Sequence, residues 1–327
     1  MNEFIKTVVV DAGGRYGLHP SWKPFNGELD YYLFEPDVHE CKRLKEKYQN
    51  RANEVKVFSI GLSEKGEEFT LNLFKNKAMS STNVRNPISS LFFGDRAQEV
   101  EIQDKIQIQT ISLDEFASKQ GLNIDFLKLD TEGTEYNILK GGQYQLTNNV
   151  IGVRTEVSFD FIFEGMPLFG TIHDFLLEHN FLLLNLDYEG KGDYQFEHIN
   201  VNNRYGILTA TDAVYVKRPD IIFNDKGGSE KFEVSIIKYA SFCFLNNAAD
   251  LALRMLLEGR KKGADYSKLR ESKLYRFLNL QLHRHFYSIK WQPGQSLRKN
   301  EEIYFEIMNE KMKILNEYME SLELNPD

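Results

Sequence analysis

Val8-Val9-Val10-Asp11-Ala12-Gly13-Gly14-Arg15-Tyr16-Gly17 is an apolar, β-branched run that ends in an acid and passes at once into glycines. β-Branched residues favour strands. Glycine tolerates positive φ and lets the backbone approach a ligand closely. A second strand-like run, Tyr31-Tyr32-Leu33-Phe34, ends in Glu35. That acid follows the turn by about 18 residues, near the offset at which a carboxylate holds a ribose diol. The two signals predict a nucleoside cofactor at this end of the chain. The other reading of Glu35 is favourable electrostatics at the start of the next helix.

Working outward, Asp37 to Arg51 reads as a helix opened by Pro36-Asp37, with Val38, Cys41, Leu44 and Tyr48 at helical spacing. Val55 to Ile60 is a third strand, and strands alternating with helices predict a parallel, doubly wound sheet. Glu68 to Leu73 and Lys105 to Ile111 alternate with period two, as half-exposed antiparallel edge strands do. Ser112-Leu113-Asp114-Glu115 opens a short helix with the pattern of a capping box. Ile124 to Asp130 is the next buried strand, and Thr131 to Glu135 leads into a helix ending near Gly141-Gly142. Val150 to Val157 is a fifth core strand, ending at Glu156. A helix over Leu168 to His179 follows. Phe181 to Leu186 and Ala213 to Val216 have no helix between them and predict an antiparallel hairpin closing the sheet around a long loop, 187–210.

Beyond Pro219 and the run Asn224 to Ser229 the chain reads as helical. Ile236 to Gly259 is one candidate helix. Asn300 to Leu322 is another, with Met308, Met312, Leu315, Met319 and Leu322 along one seam that would pack on the main domain or form a homodimer. The expected division is 1–220 for cofactor binding and 221–327 for a helical extension acting as lid, substrate-binding element or oligomerisation element.

A chain of 327 residues, 42% hydrophobic, has room for one large domain with an appendage. A net charge of -8 argues against non-specific binding to nucleic acid. Cys41 and Cys243 are the two cysteines, which excludes a thiolate metal cluster and fits a reducing compartment. No apolar run approaches the ~20 residues of a membrane span, and the chain enters a strand without a signal peptide. The expectation is a soluble cytoplasmic protein.

Two cofactors compete for the turn. NAD requires G-x-G-x-x-G, but Ala12 occupies the first glycine position. Asp11 at the strand end would repel a pyrophosphate, whereas it suits an ammonium or hydroxyl group. The closing hairpin also points away from a dehydrogenase.

Asp11 to Gly17, Phe34-Glu35-Pro36-Asp37, Ile111 to Phe116, Phe126 to Glu135 and Leu139-Lys140-Gly141 together resemble the FkbM family of S-adenosylmethionine-dependent O-methyltransferases. Leu127 to Gly141 is the most specific part, and the resemblance covers about residues 7–218. It implies an α/β, Rossmann-like class I methyltransferase fold: a mostly parallel seven-stranded sheet with a closing antiparallel hairpin, here with a C-terminal helical extension. The first motif of the family usually reads Asp-x-Gly-Ala-Asn-x-Gly, so Gly14 replaces an alanine and Arg15 an asparagine.

The resemblance implies that Gly13, Gly14 and Gly17 line the turn under S-adenosylmethionine and that Asp11 holds its amino group. Glu35, beside Pro36, would accept the ribose hydroxyls. Gly61 and Leu62, read at the end of the third strand, would border the adenine. Ser80 and Ser81 match a serine pair of the family and would line the cofactor or acceptor pocket. Asp130 also falls in the cofactor set. Asp130, Glu132 and Glu156, at the ends of the fourth and fifth strands, are the candidates for base and acceptor orientation. Their carboxylates admit a divalent metal without requiring one. Lys128 is read as ion-paired nearby or snorkelling. His19 is a lesser base candidate, and His198 lies in the long loop. His173 and His179 read as structural. His283 and His285 form a His-x-His in the tail, more simply a solvated surface.

The expected activity is O-methylation of a hydroxyl on a sugar, polysaccharide or secondary metabolite. The acceptor would be a small molecule or glycan, for which Trp22, Tyr188, Tyr194 and Tyr205 offer aromatic surface. The rival readings are an NAD-dependent sugar oxidoreductase and a non-catalytic binding module on a degenerate methyltransferase core.

Overall fold

Val8-Val9-Val10 lies in a strand nearly all of whose residues are buried, as a central parallel strand requires. The computed structural model describes residues 5–25, 27–87, 98–187, 193–194, 207–224, 230–269 and 272–288. Strand β1 (Thr7–Ala12) is followed by a single 3-10 helix, Pro20–Phe25, and then by β2 (Leu29–Phe34). Helix α1 (Val38–Lys47) starts at Asp37, whose side chain accepts the N–H groups of His39 and Glu40. The helix expected to reach Arg51 stops at Lys47, and a separate 3-10 turn covers Gln49–Arg51. Tyr48 marks the break, its hydroxyl bound 2.8 Å from the Leu18 amide under the glycine turn. Strand β3 (Val55–Phe58) completes this half.

The period-two segments form a small sheet of their own. Strands β4 (Gly61–Ser63), β5 (Glu68–Phe74) and β6 (Ile102–Ser112) are ordered β4-β6-β5, with β5 antiparallel to β6. Gly61 and Leu62 therefore belong to this sheet, because the third strand ends at Phe58. Helix α2 (Leu113–Gln120) is capped as its sequence predicts: Ser112 Oγ accepts the Glu115 amide, and Gly121 closes the helix at φ 66°.

The main sheet continues with β7 (Phe126–Leu129), helices α3 (Glu135–Lys140) and α4 (Gln143–Asn148), β8 (Gly152–Ser158), α5 (Phe169–Glu178) and β9 (Phe181–Asp187). A short antiparallel pair, β10 (Asp193–Tyr194) and β11 (Ile207–Leu208), lies in the predicted long loop, and β12 (Ala210–Lys217) returns to the sheet. The order is β3-β2-β1-β7-β8-β12-β9. The first five strands are parallel, and β12 is antiparallel to both β8 and β9. This is the expected α/β, Rossmann-like sheet with a closing hairpin. The order reverses beside β1, so the ends of β1, β2 and β7 frame a crevice.

Helices α6 (Pro219–Asn224), α7 (Glu230–Leu245), α8 (Ala249–Lys261) and α9 (Lys273–Ser288) follow. The single helix expected from Ile236 to Gly259 is two. Asn247 breaks it at φ 64°, a left-handed position that asparagine tolerates. One 3-10 turn between β1 and β2 is too short to cover its face of the sheet, and α7–α9 fill that place. Trp22, Phe126, Ile236, Phe242, Leu256 and Leu278 share one buried core. Phe126 and Phe242 stack at 4.8 Å, and truncating such a ring costs about 3–5 kcal/mol. Two polar contacts fix the docking: Lys238 Nζ lies 2.7 Å from Asp125 Oδ2, and the buried Glu28 carboxylate accepts the Lys273 and Leu274 amides at the start of α9.

Trp22 is thus a core residue, 3% exposed, and not an acceptor surface. Tyr188, Tyr205, His198 and the seam from Met308 to Leu322 lie outside the described residues, as do the side chains of Tyr194, His283 and His285. Both cysteines are buried free thiols. Among the described residues no helix is long and apolar enough to cross a membrane.

Candidate active site

The glycine turn folds back over the end of β2. Gly13 and Gly14 donate their amides to the Phe34 carbonyl at 3.3 Å each, and Gly17 donates to Gly14 at 2.7 Å. Gly13 has φ 84°, and a Cβ there would overlap the Asp130 carbonyl oxygen. Only glycine lets these two backbones meet. Gly14 packs on Leu33 and Gly17 on Tyr48 in the same way. Asp11 lies beneath the turn, buried and hydrogen-bonded by the Tyr31 hydroxyl. Its Oδ1 sits 3.3 Å from Lys128 Nζ, an ion pair without hydrogen-bond alignment. Burial raises the pKa of Asp11, while Lys128 and Tyr31 oppose that shift. Lys128 also reaches Asp130 Oδ2 at 3.4 Å and the Gly13 carbonyl at 3.5 Å, tying the turn to the end of β7.

Glu35 is 4% exposed and borders a cavity of about 180 Å3. Its Oε1 accepts the Asp37 amide at 3.0 Å, and its Oε2 lies 3.8 Å from Arg15 Nε. Burial raises its pKa to about 7 despite Arg15. The cap of α1 is Asp37, which burial alone would raise but which Arg15 and two backbone amides hold below its ordinary value.

The opposite wall rises from the small sheet and the loop after it. Leu62, Phe69, Leu71 and Ile108 supply an apolar slot, and Ser80, Thr82 and Asn83 a polar rim. Ser81 stands behind this rim, donating to the Glu132 carbonyl at 2.6 Å and accepting the Asn83 amide at 3.0 Å. Glu132 and Gly133 are left-handed at φ 57° and 97°. What holds them so is Glu135, whose buried carboxylate accepts the amides of Thr131 at 2.6 Å and Gly133 at 3.1 Å. Burial raises the pKa of Glu135, and these donors oppose it. The loop so folded directs Asp130 and Glu132 into the cavity wall.

Gly13, Glu35, Pro36, Gly61, Leu62, Ser80, Asp130 and Glu132 line the cavity together with Arg15. Asp11, Gly14, Gly17 and Ser81 support it from behind. Glu156 is not in the wall, but the half-buried carboxylates of Asp130, Glu132 and Glu156 approach within 4.8 Å of one another. Oxygen donors so spaced fit a divalent cation as well as an acceptor hydroxyl. His19 is bound to Ser21 Oγ at 2.7 Å. Burial, then Arg154 and Lys128, lower its pKa to about 4, so the imidazole is neutral at physiological pH. His173 and His179 bond Tyr215 and the Phe175 carbonyl, as structural histidines do.

Sequence reasoning missed the apolar slot and the role of Glu135. It also missed Arg154, which pairs with Asp212 and Asp187 beside Glu156. The slot had a signal in the alternation of Glu68 to Leu73. The arginine had none, because its partners lie on strands distant in sequence.

Residues 23–183 match the family model of the methyltransferase FkbM domain. Over that span, just under half of its length, the chain is similar to the FkbM methyltransferase domain. The glycine turn at 13–17 precedes the matched span, while Glu35, Asp130, Glu132 and Glu156 fall within it. A 144-residue stretch is 26% identical to the 2-O-methyltransferase NoeI of Sinorhizobium fredii (strain NBRC 101917 / NGR234), covering 42% of this chain and 57% of NoeI. The chain thus spans a little over half the length of that relative. Among solved structures, the FkbM methyltransferase of Methylobacillus flagellatus KT matches with a TM-score of 0.35 at 15% identity, over 64% of this chain and 43% of that one. The magnesium protoporphyrin IX methyltransferase ChlM of Synechocystis PCC 6803, a structure with bound SAM, matches at 0.33 and 10% identity, over 65% and 70%. The strand order, rather than these distant likenesses, defines the fold.

Proposed function

We infer that this protein is an S-adenosylmethionine-dependent O-methyltransferase acting on a sugar hydroxyl. The observation that carries the reading is Glu35, a buried carboxylate in the cavity wall whose Oε2 takes no hydrogen bond among the described residues. A ribose diol supplies two donors for such a group. The rest of the cavity fits the same cofactor. Gly13 brings the backbone of the turn into the cavity wall against Asp130, and Leu62, Phe69, Leu71 and Ile108 form a slot for a flat base. When bound, S-adenosylmethionine supplies an electrophilic methyl group on a sulfonium.

The chain's own part is to hold the acceptor and its proton. Asp130 and Glu132 would accept hydrogen bonds from neighbouring hydroxyls of a sugar, and one carboxylate would take the proton as the oxygen–methyl bond forms and the methyl–sulfur bond breaks, leaving S-adenosylhomocysteine. Lys128 holds Asp130 in place and offsets part of the negative charge. Glu135 fixes the loop, so that alignment rather than covalent chemistry provides the acceleration. The likeness to NoeI, described as a 2-O-methyltransferase, supports transfer to oxygen, and the sugar is the acceptor class that the FkbM resemblance implies.

Calorimetric titration with S-adenosylhomocysteine and with NAD tests the cofactor, and binding of NAD alone would overturn the reading. A screen of oligosaccharides with the methyl donor tests the acceptor, read as a one-methylene gain in mass. Cofactor binding without transfer to any glycan or small hydroxyl compound would favour a non-catalytic binding module.

A further inference from the structure

Arg15 stands where the FkbM pattern has asparagine, and the structure gives it specific work. Its guanidinium lies in the cavity wall and meets three carboxylates: Asp37 Oδ2 at 2.9 Å, Glu35 Oε2 at 3.8 Å and Glu40 Oε2 at 4.0 Å. The short contact goes to Asp37. Toward Glu35 the geometry is that of an ion pair too long to be a hydrogen bond. Arg15 therefore supports negative charge on Glu35 without occupying the oxygen that a ligand would use. The backbone of the same residue is held as well, because Arg43 Nη2 donates to the Arg15 carbonyl at 3.0 Å.

We propose that Arg15 is a positioning residue that favours the charged form of Glu35 for a ribose diol and locks the glycine turn to α1 as one cofactor wall. The proposal rests on the cofactor reading above. An asparagine at this place carries no charge and would leave Glu35 to its burial. The charged groups facing Glu35 are Arg15 from the turn and Asp37 and Glu40 from the start of α1. Cys41 of α1 lies nearby, and Arg43 is paired with Glu40. Asp37 and Glu40 repel a charge on Glu35, while Arg15 favours it most and the Asp37 amide and the more distant Arg43 less, so removing Arg15 moves the Glu35 equilibrium toward the neutral acid.

The test uses 5′-methylthioadenosine, which keeps the ribose diol and has no group that ionises near neutral pH. Its affinity is measured by calorimetry from pH 6 to 9 for wild type, Arg15→Met, Arg15→Lys and Glu35→Gln. Arg15→Met is expected to bind about fivefold more weakly at pH 7, the equivalent of a one-unit shift in a group that titrates near 7, and to approach wild type at pH 9. Arg15→Lys is expected to restore most of the affinity. The carboxyl carbon resonance of Glu35, assigned through Glu35→Gln, reports the same shift in ligand-free protein. Unchanged affinity and an unchanged carbon titration in Arg15→Met overturn the proposal. A wild type that binds neither this probe nor S-adenosylhomocysteine at any pH overturns the cofactor reading instead, while the carbon titration still decides whether Arg15 sets the charge of Glu35.

Discussion

Two acidic groups border the Gly13 turn, and they are built in opposite ways. Glu35, Asp37 and Glu40 belong to one short segment, and a single cation, Arg15, sits against all three. Asp130, Glu132 and Glu156 come from the end of β7, the loop after it and β8. They are gathered by left-handed backbone at Glu132 and Gly133 and by the buried carboxylate of Glu135. The first group is a clamp of three carboxylates around one guanidinium, and the second is a half-buried set of carboxylates within 4.8 Å of one another. The difference teaches that one acidic wall of the cavity can be written locally, while the other needs the sheet to assemble it.

The largest expected effect separates the two groups by what they lose. Replacing the catalytic base among Asp130→Asn, Glu132→Gln and Glu156→Gln should lower kcat by about 10²–10⁴, with S-adenosylhomocysteine affinity within a few-fold of wild type. Steady-state kinetics beside calorimetry reads both, and equal losses of binding and turnover would merge the groups into one site. Gly13→Ala strikes the point where they touch. A strained φ and an overlap with the Asp130 carbonyl should together cost about 3 kcal/mol in urea unfolding; an unaltered midpoint would mean that the turn yields freely.

A smaller effect comes from Glu35 itself. Its pKa rises from 4.5 to about 7 on folding, so the native state favours the neutral acid. That stability is complete below pH 4.5 and is lost as pH rises through about 7. Glu35→Gln should flatten this decline in the ligand-free protein and be more stable than wild type by about 2 kcal/mol at pH 8, while losing affinity for the ribose. Thermal melts across pH check it, and an unchanged slope would show that Glu35 is not the group responsible. The smallest effect is expected from metal removal. Lys128 already supplies positive charge at 3.4 Å from Asp130, so turnover after exhaustive chelation should stay within about twofold, by the usual tolerance for losing a contact of this kind. A collapse restored by magnesium would make the second acidic group a metal site.

Much of the clamp was legible because its parts are close in sequence. The Val8 to Gly17 run and Glu35 give away β1, the turn and the end of β2 by residue type alone. Asp37 is legible as a cap, and Ser112 likewise. Gly61 and Leu62 read as the end of the third strand and not as a strand of another sheet, since nothing in Ser59-Ile60 announces that the chain leaves one sheet for another. Asn247, which splits a long helical pattern in two, is an ordinary residue until its left-handed φ is seen. Trp22 reads as a carbohydrate platform only while the partner of its ring, Phe242, is unplaced.

By itself the sequence determined the alternation of strands and helices, the glycine turn and the acid that follows it, because those depend on backbone freedom and short-range periodicity. The tertiary structure alone decided that Asp130, Glu132 and Glu156 converge, that Glu135 is buried to fold their loop, and that α7–α9 replace a missing crossover helix on one face of the sheet. These depend on which strands lie side by side, and that order is set by burial over the whole chain rather than by any local run of residues.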